Sequence, residues 1–187
     1  AQGRPMKLTH LPCLDIQLLS EVPEACLPLA TAMTAAWPEW YGAGGPGNAL
    51  DDLASFARRD GLPLALVAHW EGELCGMLAL KSAPWPEPPR QGPWVSAALV
   101  LPQFRRRGVA LAMLRAMEEV ALEQRHPVLW SATSSAGGVL ERAGWEYEET
   151  LEHADGPLRL YRRRVLHHAQ TGDASQGIKG RVDEGVT

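Results

Sequence analysis

Pro93-Trp94-Val-Ser-Ala-Ala-Leu-Val-Leu-Pro102-Gln-Phe-Arg105-Arg106-Arg107-Gly108-Val109-Ala110-Leu-Ala-Met113-Leu114 is the stretch that decides how this chain folds. Its first part, Trp94 to Leu101, is an apolar run of strand length. From Val109 to Glu123 the pattern becomes helical: Val109, Met113, Met117 and Val120 fall on one face. Between the two lies a basic turn containing Gly108. A strand that ends in such a turn and opens a helix is a place for an anion. The first helical N–H groups have no partner inside the helix, and the helix dipole adds partial positive charge there. A phosphate or pyrophosphate satisfies both. Gly108 allows close backbone approach, small Ala110 nearly the same one turn in, and three arginines supply forked donors.

Punctuation orders the rest. Asp15–Leu19 reads as a first strand and Pro23 to Ala36 as a helix with proline in its first turn. A Trp/Gly/Pro-rich loop is expected from Trp37 to Gly47, with Asn48 or Asp51 then capping a helix through about Arg59. Leu64–Trp70 and Leu74–Lys81 are apolar runs joined across Glu71-Gly72, a hairpin signal. Ala83 to Pro93 holds five prolines and is a loop. After the long helix, Pro127–Ala132 is strand-like and Ala136–Arg142 a short helix. Trp145–Leu151 and Leu158–Val165 form a final pair, the second with an arginine-rich outer face. This succession is mixed α/β, an α+β arrangement on one sheet.

Composition bounds the reading. A chain of 187 residues, 45% hydrophobic and 21% charged, is expected to be one domain with a sizeable core. A net charge of −4 argues against a nucleic-acid binder. Cys13, Cys26 and Cys75 are odd in number and widely spaced, giving neither a disulfide framework nor a metal site. No apolar run reaches the length of a membrane span, so the expectation is a cytoplasmic protein without a membrane partner. Residues 1–5 read as an expression-tag remnant before Met6, a single domain as 6–168, and the Gly-rich, polar 169–187 as a disordered tail.

Residues 93–114 resemble the acyl-coenzyme A signature of the GNAT superfamily of N-acyltransferases: a strand, a proline, then Gln/Arg-x-x-Gly-x-Gly/Ala opening a helix. A second match, Thr133-Ser134-Ser135-Ala136-Gly137-Gly138-Val139-Leu140-Glu141-Arg142-Ala143-Gly144-Trp145, is similar to that family's Asn-x-x-Ala-x-x-x-Tyr-x-x-x-Gly-Phe segment. The resemblance implies a mostly antiparallel sheet whose fourth and fifth strands run parallel and splay apart, flanked by helices. It implies acetyl-CoA as acyl donor, without a metal, and a small-molecule or peptide amine as acceptor, in a monomer or homodimer. Backbone groups of Leu99, Val100 and Leu101 would hold the pantetheine. Arg105, Arg106, Arg107, Gly108, Val109 and Ala110 would hold the pyrophosphate, with Thr133 and Ser135 added by the second match. The alternative for single arginine head groups is a solvated surface role.

Catalysis departs from the family pattern. Many relatives place a Tyr acid where this chain has Leu140, and some place a Glu base where it has Trp94-Val95-Ser96. Ser96, Glu39 and Tyr41 are therefore the catalytic candidates, with a backbone N–H of Val100 or Leu101 as oxyanion donor. Trp37-Pro38-Glu39-Trp40-Tyr41-Gly42 sits where the family shapes its acceptor site. Aromatic faces beside a carboxylate suit a cationic amine, so Trp37, Glu39 and Trp40, with Trp94 as a further wall, are the substrate-binding candidates. The plainer reading is that the tryptophans fill the core. An N-acetyltransferase is the function this implies; a non-catalytic acyl-CoA-binding or sensing module is the alternative, suggested by the absent Tyr and Glu.

Overall fold

Alternation along the strands decides which residues reach each layer, and the layers place the site. The computed structural model describes residues 11–165, so the expectations for 1–5 and 169–187 lie outside the described residues. The elements are β1 (Leu14–Leu18), α1 (Cys26–Ala36), α2 (Pro38–Tyr41), α3 (Ala49–Phe56), β2 (Leu64–Trp70), β3 (Glu73–Lys81) and β4 (Trp94–Val100). They continue with α4 (Val109–Glu123), β5 (Val128–Thr133), α5 (Gly137–Arg142), β6 (Glu146–Leu151) and β7 (Leu158–Arg164). The seven strands make one sheet in the order β1-β2-β3-β4-β5-β7-β6, antiparallel except for β4 and β5.

β2 is apolar and fully buried from Leu64 to Ala68 because both its faces are covered there. Leu64, Leu66 and Ala68 join the core under α4, while Ala65 and Val67 join the core under α1 and α3. The Asn48 side chain accepts a hydrogen bond from the Asp51 N–H at 3.0 Å and caps α3, as its position suggests. Helix α2 lies inside the stretch expected to be all loop. Pro38 at its first position presets φ, and a helix this short shows no periodicity in sequence. β7 is last in the chain but interior in the sheet. Three of its four arginines are partnered: Arg159 with Glu141, Arg162 with Glu146, and Arg163 with Glu118.

β4 carries a bulge. Ser96 stands opposite Ala79 and Leu99 opposite Met77, so Ala97 and Ala98 together face Leu78, and Ala97 takes φ 49°. One extra residue reverses the alternation. Val95 therefore packs on the α4 side and Leu99 on the α1/α3 side, although four positions separate them. Beside it, β4 and β5 share a single bridge, Trp94 to Trp130, backed by Trp130 N–H to Pro93 O at 3.0 Å. The Ser131 hydroxyl donates to Val95 O at 3.2 Å, and beyond that point the strands part.

A column of tryptophans closes the joined end. Trp94 lies between Trp85 and Trp130, at ring separations of 5.5 and 6.2 Å. The indole N–H groups of Trp94 and Trp130 donate to Arg90 O and Gln91 O, which fastens the proline-rich loop to the sheet. Trp94 is 0% exposed. It is core, not the acceptor wall expected from sequence. Trp94→Ala is expected to cost about 3–5 kcal/mol of unfolding free energy. Chemical denaturation checks this; a loss below 1 kcal/mol would mean the column does not hold the loop.

Candidate active site

The parting of β4 and β5 opens a cleft of about 870 Å³ that passes from one face of the sheet to the other. On the α4 side its walls are Val100, Ala110, Met113, Leu114 and Leu140; on the α1/α3 side they are Trp37, Glu39, Trp40, Tyr41 and Lys81. Ser96, Ser131, Ala132 and Thr133 lie between. That volume is near the upper end for small-ligand clefts, enough for an extended arm and a second molecule.

The basic turn leads into the α4 wall of the cleft at Ala110. Arg106 and Gly108 both have positive φ, 60° and 80°, and Gly108 is the N-cap of α4. The first helical bond runs from Ala112 N–H to Gly108 O, so the amides of Val109, Ala110 and Leu111 have no acceptor within the helix. The three arginines diverge. The Arg105 Nε donates to Val100 O at 3.1 Å and ties the turn to the strand end. Arg107 turns away and stacks over Trp70 and Phe104 at 5.4 and 5.5 Å. Arg106 is the exposed head group left beside the turn.

Amide direction separates the three backbone candidates. Leu101 N–H donates to Cys75 O at 2.8 Å and Leu99 is paired with Met77, so both point toward β3. Peptide groups alternate along a strand, which turns Val100 toward the splay. Val100 lines the cleft, whereas Leu99 and Leu101 do not. The expected trio thus reduces to Val100, and of the two oxyanion donors considered Leu101 is spent. Thr133 Oγ1 accepts from Ser135 N–H and Ala136 N–H at 3.2 and 2.9 Å, shaping the turn into α5, where Ser135 also lines the cleft.

On the α1/α3 side, α2 and its N-cap bring Trp37, Glu39, Trp40 and Tyr41 together on one wall. Trp40 is 53% exposed, so it is no core plug. The Tyr41 hydroxyl donates to Asp52 Oδ2 at 2.6 Å. Burial, then the Asp52 carboxylate, push that phenol well above its ordinary range, which makes Tyr41 a poor proton donor. Ser96 Oγ is buried at the cleft with no hydrogen-bond partner among the described residues. Leu140 is 3% exposed, packed in the α4-side core with its outer edge on the cleft, and carries no proton. Sequence reasoning missed Lys81 and Asp155. Lys81 closes an apolar strand, and Asp155 belongs to an Asp-Gly-Pro turn that signals only a chain reversal; neither is marked by a motif.

With this geometry in place, comparison with known proteins is direct. The model of the acetyltransferase (GNAT) family matches residues 29–144. No curated protein sequence matches the chain. Among solved structures, an aminoglycoside 6'-N-acetyltransferase complexed with coenzyme A aligns with a TM-score of 0.66 at 12% identity, covering 81% of this chain and 97% of that one. A ribosomal L7/L12 alpha-N-protein acetyltransferase in complex with coenzyme A aligns with a TM-score of 0.66 at 14% identity, over 86% and 98% of the two chains. The yncA protein of Salmonella typhimurium, with its cofactor acetyl-CoA, aligns with a TM-score of 0.63 at 15% identity, over 87% and 99%. At these identities the likeness is one of fold.

A Cβ at Gly108 meets nothing closer than 3.8 Å, so the constraint there is its positive φ and whatever approaches the turn. Gly108→Val is expected to cost about 1–2 kcal/mol of stability through that φ. It should also weaken coenzyme A binding by about tenfold or more, as the helix amides are blocked or displaced. Isothermal titration checks this; an unchanged Kd would remove the turn as the anion site.

Proposed function

The chain belongs to the GNAT acetyltransferase family, and we propose that it transfers an acetyl group from acetyl-CoA directly to a primary amine of a small molecule or peptide. One observation carries this reading. One cleft is lined both by Ala110, in the first turn of α4, and by Glu39, Trp37 and Trp40, which supports a donor reaching an acceptor through the sheet. The structural neighbours include proteins named for acetylating an aminoglycoside and a ribosomal protein, so small-molecule and protein amines both fall within reach of this fold.

The residues fit the donor. A nucleotide diphosphate finds unpaired helix amides beside Arg106, and an extended arm finds a strand edge at Val100 that β5 leaves free. Acetyl-CoA supplies an activated thioester; the rest is the work of this chain. Val100 holds its N–H toward the splay, where negative charge develops on the carbonyl oxygen. Glu39 and Asp155 attract an ammonium to the wide half and can take its proton, directly or through water. Met113, Leu114 and Leu140 keep the narrow half apolar. No side chain at Leu140 or Tyr41 is set to protonate the departing sulfur, and a thiolate, with a parent pKa of about 8.5, leaves without that help.

That same lack favours a second reading, an acyl-CoA-binding module that senses rather than turns over its ligand. Thiol release from acetyl-CoA over a panel of amines separates the two. Release with at least one amine supports the transferase. A thermal shift with coenzyme A but no release with any amine would favour the sensor, and no shift at millimolar coenzyme A would count against both.

Two variants probe the halves of the cleft. Glu39→Gln is expected to raise the acceptor KM severalfold, leaving coenzyme A affinity unchanged; unaltered acceptor kinetics would return Glu39 to a solvated carboxylate. Leu140→Tyr should leave turnover equal or higher, because the position borders the cleft and a well-placed phenol donor is worth about 10²-fold. If the ring is instead forced into the core, overpacking costs about 1–3 kcal/mol and turnover falls. Steady-state kinetics paired with melting curves distinguish these results.

A further inference from the structure

The acceptor half holds a cation that a simple amine does not require. Lys81, the last residue of β3, lines the cleft, and its Nζ rests 5.2 Å from the centre of the Phe56 ring. Among the described residues it pairs with no carboxylate; that ring is its contact. An amine-binding site gains nothing from an unpaired ammonium, since like charges repel. The cation therefore needs its own explanation.

Ser96 supplies the second observation. Its hydroxyl is buried on the cleft wall and unpartnered, while the other polar side chains nearby are committed: the Ser131 hydroxyl to Val95 O and the Tyr41 hydroxyl to Asp52. A buried hydroxyl without a partner is costly to keep unless a ligand completes it. The register then places the two side chains together. Ala79 pairs with Ser96 and Lys81 with Trp94, so Lys81 and Ser96 are diagonal neighbours on one face of adjacent strands. An ammonium on a long, flexible stem and a hydroxyl donor on the same face of adjacent strands can both reach one oxyanion.

We infer that Lys81 and Ser96 form a subsite for a carboxylate of the acceptor, and that the acceptor is a small zwitterion, an amino acid or a compound built like one. This rests on the reading that the wide half of the cleft receives an amine. Charge is then complementary on both sides: Glu39 and Asp155 face the ammonium end, Lys81 and Ser96 the acid end, and Trp37 and Trp40 the apolar body between. A polyamine would meet Lys81 as a repulsive group.

The test uses the full chain saturated with coenzyme A or acetyl-CoA. The probes are the twenty L-amino acids and, for the best of them, its decarboxylated amine. Binding is read by calorimetry and turnover by thiol release. The expected result is binding of at least one amino acid, weakened by about 10- to 100-fold when the carboxylate is removed or when Lys81 becomes Met. Lys81→Arg should recover most of that loss, whereas Lys81→Met should bind the decarboxylated amine no more weakly than the parent protein does, because it removes a like charge. Carboxylate-dependent binding without thiol release would sink the transferase reading and leave the subsite standing. Turnover of amines that is indifferent to a carboxylate, or no amino-acid binding at all, would overturn the subsite whatever the fate of that reading. Lys81→Met lowering kcat equally for both members of the pair, with KM unchanged, would also overturn it, by assigning Lys81 to the reacting carbonyl.

Discussion

β4 and β5 touch at one bridge and then separate, and everything functional in this fold depends on that failed pairing. Two parallel strands side by side would normally continue their ladder, because an unpaired strand edge leaves amides and carbonyls unsatisfied. Here a bulge at Ala97 and Ala98 twists β4 away, while Trp94, Trp130 and Ser131 clamp the end where the strands still meet. The result is a wedge with a firm hinge and a free edge. The Val100 carbonyl on that edge is taken by Arg105, which leaves its N–H facing into the opening.

The bulge also sorts side chains between two rooms. By reversing the alternation once, it sends Val95 to the α4 side and Leu99 to the opposite side. The wall near Ser96 keeps small residues and one free hydroxyl, and the cleft runs through the sheet instead of stopping at it. The narrow room is apolar and ends on helix amides. The wide room carries the charges: Glu39 from α2, Asp155 from the β6–β7 turn and Lys81 from β3. Unpaired helix amides toward one end and charges of both signs at the other give the cleft a direction.

How much of this was legible in sequence depends on the length scale of the signal. The α4 helix was legible to the residue, because fifteen residues of periodicity leave little freedom, and so was β2, bounded by proline and a hairpin turn. The turn at Arg105–Ala110 could be read because glycine and arginine are chemically specific there. Helix α2 could not, since four residues carry no period. Trp94 was misplaced because an aromatic reads alike whether it walls a pocket or fills a core, and only the pairing with Trp130 decides which. The sorting of Leu99, Val100 and Leu101 turned on amide direction, a property of register that no side chain announces. Lys81 and Asp155 converge from β3 and the β6–β7 turn, more than seventy residues apart in the numbering, so their meeting at one cleft is a fact of topology alone.

The central claim is that a single cleft opened by the β4–β5 splay receives the donor, with its phosphates at the α4 N-terminus. Titrating coenzyme A into isotopically labelled protein and following backbone amide resonances tests this most directly. The account predicts that Val100, Arg106 to Leu111 and Ser135 shift strongly, while amides around Trp94 and Trp130 at the closed end stay in place. A separate groove of about 520 Å³ lies behind the turn, lined by Trp70, Gln103 and Arg107; shifts confined to it, with Val100 and Val109 unmoved, would contradict the account.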